Sequence, residues 1–136
     1  MASSDPAKIV KDALVTAWTA AHPSWTATLR VDDDYLPTQG SPTLLVADDG
    51  GPAVHSGPWM VGKTLRRITI RLTAFAKGRD EARTVVDAAT DHITTYRPPG
   101  IARIEDVSAP LVTRDRATGA YLASITVQVI VRPVTA

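Results

Sequence analysis

The sequence predicts an α+β fold in which one antiparallel or mixed sheet of about five strands carries two helices on one face. Two stretches have apolar residues at three- and four-residue steps, and five stretches have strand character, in the order helix, three strands, helix, two strands. A single sheet covered on one side by both helices would bury every apolar stripe. With 136 residues, the chain corresponds to one domain over residues 1–136, of which residues 1–4 are expected to be flexible.

The first helix is expected over Pro6–Ala21. The Asp5 side chain can accept hydrogen bonds from free backbone N–H groups, and a proline at the first helical position loses no hydrogen bond. Apolar residues then recur at helical spacing until Pro23 ends the pattern: Ile9, Val10, Ala13, Leu14, Ala17, Trp18 and Ala21. Residues 25–31 alternate apolar and polar side chains, which predicts a strand with one buried face.

Two loop segments follow, with a short strand expected between them at residues 43–47. Residues 32–42 carry three Asp, two Pro and one Gly, and residues 48–63 carry four Gly and two Pro. A loop as long as the second is commonly functional or disordered. Residues 65–76 then give the strongest strand signal, with apolar side chains on one face at Ile68, Ile70, Leu72, Ala74 and Ala76.

The second helix is expected to begin after Gly78 and to end near Tyr96. The segment after Gly78 offers a capping side chain and first-turn negative charge, and an apolar stripe follows at Ala82, Val85, Val86, Ala89, Ile93 and Tyr96. Two prolines and a glycine stop the helix. Residues 101–113 and 120–132 are then predicted to be two strands around a turn at residues 115–119.

Composition excludes several function classes. The chain has no cysteine, which excludes a disulfide scaffold, a cysteine-ligated zinc site and thiol redox chemistry. Fifteen basic residues against fourteen acidic ones give a net charge of +1, so no overall field steers the protein to nucleic acid. No secretory signal or membrane span is recognisable, so we expect the protein in the cytosol or in a particle assembled there.

Residues 57–64 match the phosphate-loop pattern G-x4-G-K-[ST] letter for letter. That loop works when a helix begins at the lysine and directs its N-terminal dipole at the phosphates. Here the following residues alternate at the period of a strand, and Pro58 removes one N–H from the would-be phosphate cradle. We therefore expect a turn-rich loop and no cofactor, with a nucleotide-binding protein as the enzymatic alternative.

Other candidate sites have no supporting pattern. Asp32, Asp33 and Asp34, like the pair at 48–49, could hold a hard cation, but no Glu follows at the spacing of a twelve-residue calcium loop. The histidines are isolated, and no serine has glycines two residues to either side, as a nucleophile elbow requires. The sequence therefore predicts no catalytic residue, no metal site and no enzymatic activity. Trp59 and Met60 lie mid-loop between glycines, where they either pack beneath the loop as an anchor or contact a partner.

The chain as a whole resembles phage tail terminators. The resemblance lies in residues 44–83, where a strand ending Val-Ala-Asp-Asp-Gly-Gly-Pro leads to Arg-Ile-Thr-Ile-Arg-Leu-Thr-Ala-Phe-Ala and then to Gly-Arg-Asp-Glu-Ala-Arg. The stretch Gly-Ala-Tyr-Leu-Ala-Ser-Ile-Thr-Val at residues 119–127 is also similar to small head-to-tail proteins of siphophages that infect actinobacteria. The resemblance implies that the protein is a virion protein assembled in the host cytoplasm.

The resemblance further implies a ring, typically of six subunits, that caps the tail tube, stops its elongation and joins it to the head connector. The partners of the protein would be further copies of the same chain, the tail tube protein and the connector or head-closure protein. We expect ring assembly to depend on residues 48–63, through Trp59 and Met60. Asp32, Asp33 and Asp34 are expected near the lumen, because like charge lets DNA pass without binding. Another neck component, such as a head-closure protein, is the alternative of the same class.

Overall fold

The computed structural model describes residues 5–29, 42–48, 54–56, 65–105, 107–114 and 119–131, so the start expected to be flexible lies outside them. The described part contains two helices and seven strands. The helices are α1 (Pro6–Ala21) and α2 (Arg79–Thr95). The strands are β1 (Thr26–Thr28), β2 (Thr43–Asp48), β3 (Val54–Ser56), β4 (Leu65–Ala76), β5 (Ile101–Glu105), β6 (Leu111–Arg114) and β7 (Tyr121–Val131).

The seven strands form one mixed sheet centred on β4 and β7. The strand order is β1-β2-β4-β7-β5, with β3 also paired to β4 and β6 also paired to β7. Only β1 and β2 run parallel among the described strands; the other pairs are antiparallel. β4 and β7 are aligned from the pair Arg66–Val131 to the pair Ala76–Tyr121. This long ladder fixes which side chains share each face of the sheet.

Both helices pack on the same face of the sheet, which confirms the predicted fold class. α1 lies against β1 and β2, α2 lies against β4 and β7, and the helices touch each other. The core between the layers holds the apolar stripes of α1, α2, β4 and β7 that the sequence indicated. Its largest fully buried side chains include Leu14, Leu44, Ile70, Leu72, Ile93, Val127 and Val129.

The helix ends show one difference from the expectation. Asp5 caps α1 as predicted, with its Oδ1 accepting from the Lys8 backbone N–H at 3.3 Å. At α2 the N-cap is Gly78, and no side chain makes the capping hydrogen bond. Asp80 and Glu81 lie in the first turn, where their charge complements the helix dipole. Charge near the free N–H groups therefore replaces the expected side-chain cap.

Two segments contain more strands than the sequence indicated. β3 lies within residues 48–63, which were expected to be an irregular loop, and it pairs with the end of β4 that β2 does not reach. The single strand expected at residues 101–113 is divided into β5 and β6. The backbone between them leaves regular pairing, and in the described part of that connection Ser108 bonds to β7, at Thr126.

Gly100 occupies a backbone conformation that favours glycine. Its φ is +96°, and an added Cβ would lie 3.1 Å from Ile9 Cδ1. We expect Gly100→Ala to lower the free energy of unfolding by about 1–2 kcal/mol, mainly through left-handed backbone strain. Thermal unfolding measures the loss.

Gly78→Ser is the control for this substitution. The N-cap φ of Gly78 is −131°, and an added Cβ there meets nothing within 4 Å. Serine would add the missing capping hydroxyl, so this variant should unfold at or slightly above the wild-type temperature. Equal destabilisation of the two variants would contradict the argument from backbone strain.

Candidate assembly surfaces

The sheet face opposite the helices has no helix packed on it in the described part of the chain. Cross-strand rows on this face combine apolar and hydroxyl side chains, with Leu45, Thr73 and Ser124 in one row. The Thr73 and Ser124 hydroxyl oxygens are 3.1 Å apart and share a hydrogen bond. In the adjacent row Phe75 and Leu122 are half-buried. Arg71 also lies on this face and is exposed, between Ala47 and Thr126, so the bare face combines apolar, hydroxyl and charged side chains.

One border of the sheet, which we call the bulged edge, consists of residues 101–105 and 107–114. Its register against β7 shifts between Ile101 and Arg103. Ser108 then donates its backbone N–H to Thr126 O at 2.9 Å, and its Oγ accepts from Thr126 N–H, also at 2.9 Å. Bulges twist an edge strand and hinder pairing with another strand. Leu111, 66% exposed, projects from this edge on the side of the bare face.

At the opposite border, a depression that we call the α1–β1 groove lies between the first helix and the first strand. Its volume is about 190 Å³, and its lining residues are Val15, Thr19, Pro23, Trp25, Thr26 and Ala27. The Trp25 ring meets Trp18 edge-on at 5.2 Å and stacks on His22 at 3.7 Å. His22 is the C-cap of α1 and supports the groove wall.

A larger, polar depression of about 490 Å³ lies at the C-terminal end of α2. Its lining includes Ile93, Thr94, Thr95, Arg97, Arg103 and Ile104. Arg103 Nε is 3.3 Å from Glu105 Oε2, so this guanidinium is already paired. Among the described residues that line it, none carries a carboxylate or imidazole that could transfer a proton. Among the described residues, no group of three His, Asp or Glu is arranged to hold a metal ion.

The ion pairs on the described surface join residues that are close in the sequence, and they are at least partly exposed. Lys11 Nζ lies 2.7 Å from Asp12 Oδ1, and this hydrogen bond lowers the pKa of the Asp12 carboxyl. Arg83 and Asp87 form a second pair along α2 at 3.7 Å. Exposed pairs contribute little to stability, so they do not mark a site.

No helix in the described ranges has the length and hydropathy needed to span a bilayer.

The five residues expected at interfaces, Asp32, Asp33, Asp34, Trp59 and Met60, lie outside the described residues, as does the phosphate-loop match at 57–64. The segment directly after that match is β4, the strand that the alternation predicted. Sequence reasoning missed both the α1–β1 groove and Leu111. Neither has a local sequence signal, because exposure there depends on which strands form the borders of the sheet.

Comparison with known proteins supplies one structural likeness. No family model matches the chain, and no curated protein matches it. Among solved structures, it is similar to a chain of the structure described as "Virion of native gene transfer agent (GTA) particle". The TM-score is 0.64 at 10% sequence identity, and the match covers 93% of this chain and 94% of that chain. The likeness shows that the two chains share a fold over nearly their whole length.

Proposed function

We propose that the protein is a structural component of a phage-like virion. The observation that carries this proposal is the whole-length likeness to a chain of a virion, with little of either chain left over. A fold alone does not assign a function. The sequence resemblance to phage tail terminators points in the same direction and rests on different evidence, namely the residues of β2, β4 and the start of α2.

The finer proposal is a tail terminator located at the neck of the virion and assembled in the host cytoplasm. Copies of the chain form a ring, of six subunits in the family it resembles, which caps the tail tube and stops its elongation. The ring then joins the tube to the head connector. Function is carried by surfaces in this proposal and involves no enzymatic step or cofactor.

Negative-stain imaging of purified protein mixed with tail tubes tests the proposal. We expect rings in the protein sample and a ring on one end of each tube, with tube growth stopped. Tubes without the protein are the control and should continue to elongate when tube protein is added. A protein that forms no rings and caps no tubes, even at high concentration, is not a terminator.

Two regional proposals accompany the ring. Residues 48–63 contribute to assembly, with Trp59 and Met60 supplying apolar contact area, and Asp32, Asp33 and Asp34 lie near the lumen. An acidic lumen lets a duplex slide, whereas basic walls would hold it through counterion release. A map of the assembled ring that places Asp33 on the outer rim would refute the lumen proposal.

Lys63→Ala separates this function from nucleotide binding. We expect the variant to unfold at the wild-type temperature and to form rings, because the segment after the lysine is the strand β4 rather than a phosphate-binding helix. ATP or GTP should leave the unfolding of wild-type protein unchanged. A nucleotide bound at 100 times its Kd would add about 2.7 kcal/mol. Such stabilisation in wild type, lost in Lys63→Ala, would establish the rival function.

A further inference from the structure

We propose that neighbouring copies join head to tail, with Leu111 of one copy inserted into the α1–β1 groove of the next. This inference rests on the proposed ring and names the surfaces that form it. It concerns residues that the structure describes, and it is independent of the contact proposed for residues 48–63.

The positions of the two surfaces favour a head-to-tail contact. β1 is the first strand of the sheet order, while β6 lies beyond β7 at the opposite border. Leu111, which we call the knob, and the α1–β1 groove lie at opposite borders of one chain, so they cannot contact each other within that chain. When each copy offers its knob to the next, the contact is heterologous, and it produces a ring wherever the rotation closes.

The size of the groove and the apolar part of its lining also suit a leucine side chain. Leu111 is 66% exposed, and Val107 on the same edge is exposed as well. The groove volume of about 190 Å³ exceeds the roughly 150 Å³ of an apolar cavity that admits a benzene-sized group. Val15, 41% exposed, Trp25 and Ala27 supply apolar walls. A leucine side chain is therefore small enough to enter the groove, where it would contact these apolar walls beside the Thr19 and Thr26 side chains.

The edges themselves disfavour the other simple way of joining two sheets, which is pairing of their border strands. β1 contributes only three residues, and the bulged edge departs from regular register on both sides of Ser108. Continuous pairing needs a flat edge with evenly spaced N–H and C=O groups. Contact through an inserted side chain needs neither a flat edge nor evenly spaced backbone groups. We therefore assign the contact to the Leu111 side chain.

Lysine substitutions test the two halves of the contact separately. Leu111→Lys and Val15→Lys each place a charge in the interface, whereas Tyr96→Lys changes an equally exposed apolar residue, 68% exposed, at the end of α2. Lysine suits an edge strand, a helix surface and a helix C-terminus, so all three variants should fold. We expect the two interface variants to need more than about tenfold higher concentration to assemble, as for loss of a buried anchor. Tyr96→Lys should assemble as wild type does.

Mixing the interface variants tests whether Leu111 of one copy enters the α1–β1 groove of another. Leu111→Lys keeps an intact groove and Val15→Lys keeps an intact knob, so an equimolar mixture should give dimers, measured by sedimentation velocity, and no rings. Each variant alone should remain monomeric at the same concentration. A mixture that stays monomeric, or rings formed by either single variant, overturns the proposal.

Crosslinking of assembled particles separates failure of this inference from failure of the proposed function. The chain has no cysteine, so a Val15→Cys, Leu111→Cys double variant carries only the two introduced thiols. A short bismaleimide should convert its rings into a ladder of covalent oligomers, while each single-cysteine variant stays uncrosslinked. Rings without a ladder would leave the terminator proposal standing and refute this contact. Wild-type protein that forms no ring, with or without tubes, would refute both.

Discussion

Val127→Asp should prevent the protein from folding. Val127 is fully buried in β7 and faces the helices, directly opposite Ile70 of β4. An unpaired carboxylate in this core costs several kcal/mol, which is comparable to the total stability of a domain of this size. Expression of the variant should give insoluble protein, or soluble protein without a cooperative thermal transition.

Thr126→Asp is the matched control for this substitution. It introduces the same side chain one position earlier on β7, where alternation directs it to the bare face of the sheet. We expect this variant to fold with a loss of about 1 kcal/mol or less, the range of strand propensity. Cooperative unfolding of Val127→Asp at the wild-type temperature would mean that the two faces of β7 are reversed.

Trp18→Ala should have the second largest effect, lowering the free energy of unfolding by about 3–5 kcal/mol. Trp18 is 3% exposed and belongs to the core beneath α1. Its substitution leaves a cavity and removes the edge-on contact with Trp25, whose ring lies at 5.2 Å. Chemical denaturation gives the loss directly.

Trp18→Phe provides the comparison for this loss. Phenylalanine keeps an aromatic ring in the core and retains part of the contact with Trp25, so the loss should be clearly smaller than for alanine. The α1–β1 groove also depends on Trp25, so Trp18→Ala should weaken assembly even where the monomer is folded. A loss below about 1 kcal/mol for Trp18→Ala would contradict its place in the core.

Elements with strong local signals were predictable from the sequence. α1 has the predicted bounds Pro6–Ala21, because its capping aspartate and proline fix the start and a second proline follows its end. β4 likewise has the bounds Leu65–Ala76, since every second residue from Ile68 to Ala76 is apolar, which fixes the period and the buried face. The single-face placement of both helices followed from the apolar stripes alone.

Features that depend on neighbouring strands could not be predicted. β3 has three residues, too few to show alternation, and it forms because one end of β4 would otherwise be unpaired on that side. The division of the second expected hairpin strand into β5 and β6 depends on the register against β7. The α1–β1 groove and the exposure of Leu111 follow from the same strand order. The predicted interface residues at 32–34 and 59–60 remain untested, because they lie outside the described residues.

The position of β7 has a consequence for synthesis of the protein. β7 is the last described element along the chain, yet it lies in the middle of the sheet and pairs with β4 from Arg66 to Ala76. Until the ribosome has made β7, the nascent chain carries a long unpaired β4 edge, which is a template for association with other chains. α2 also lacks one of the two strands against which it packs, since it contacts β7 as well as β4. We therefore expect folding to await translation of β7, and prematurely terminated chains that lack this strand to be removed by proteolysis before they can enter a ring.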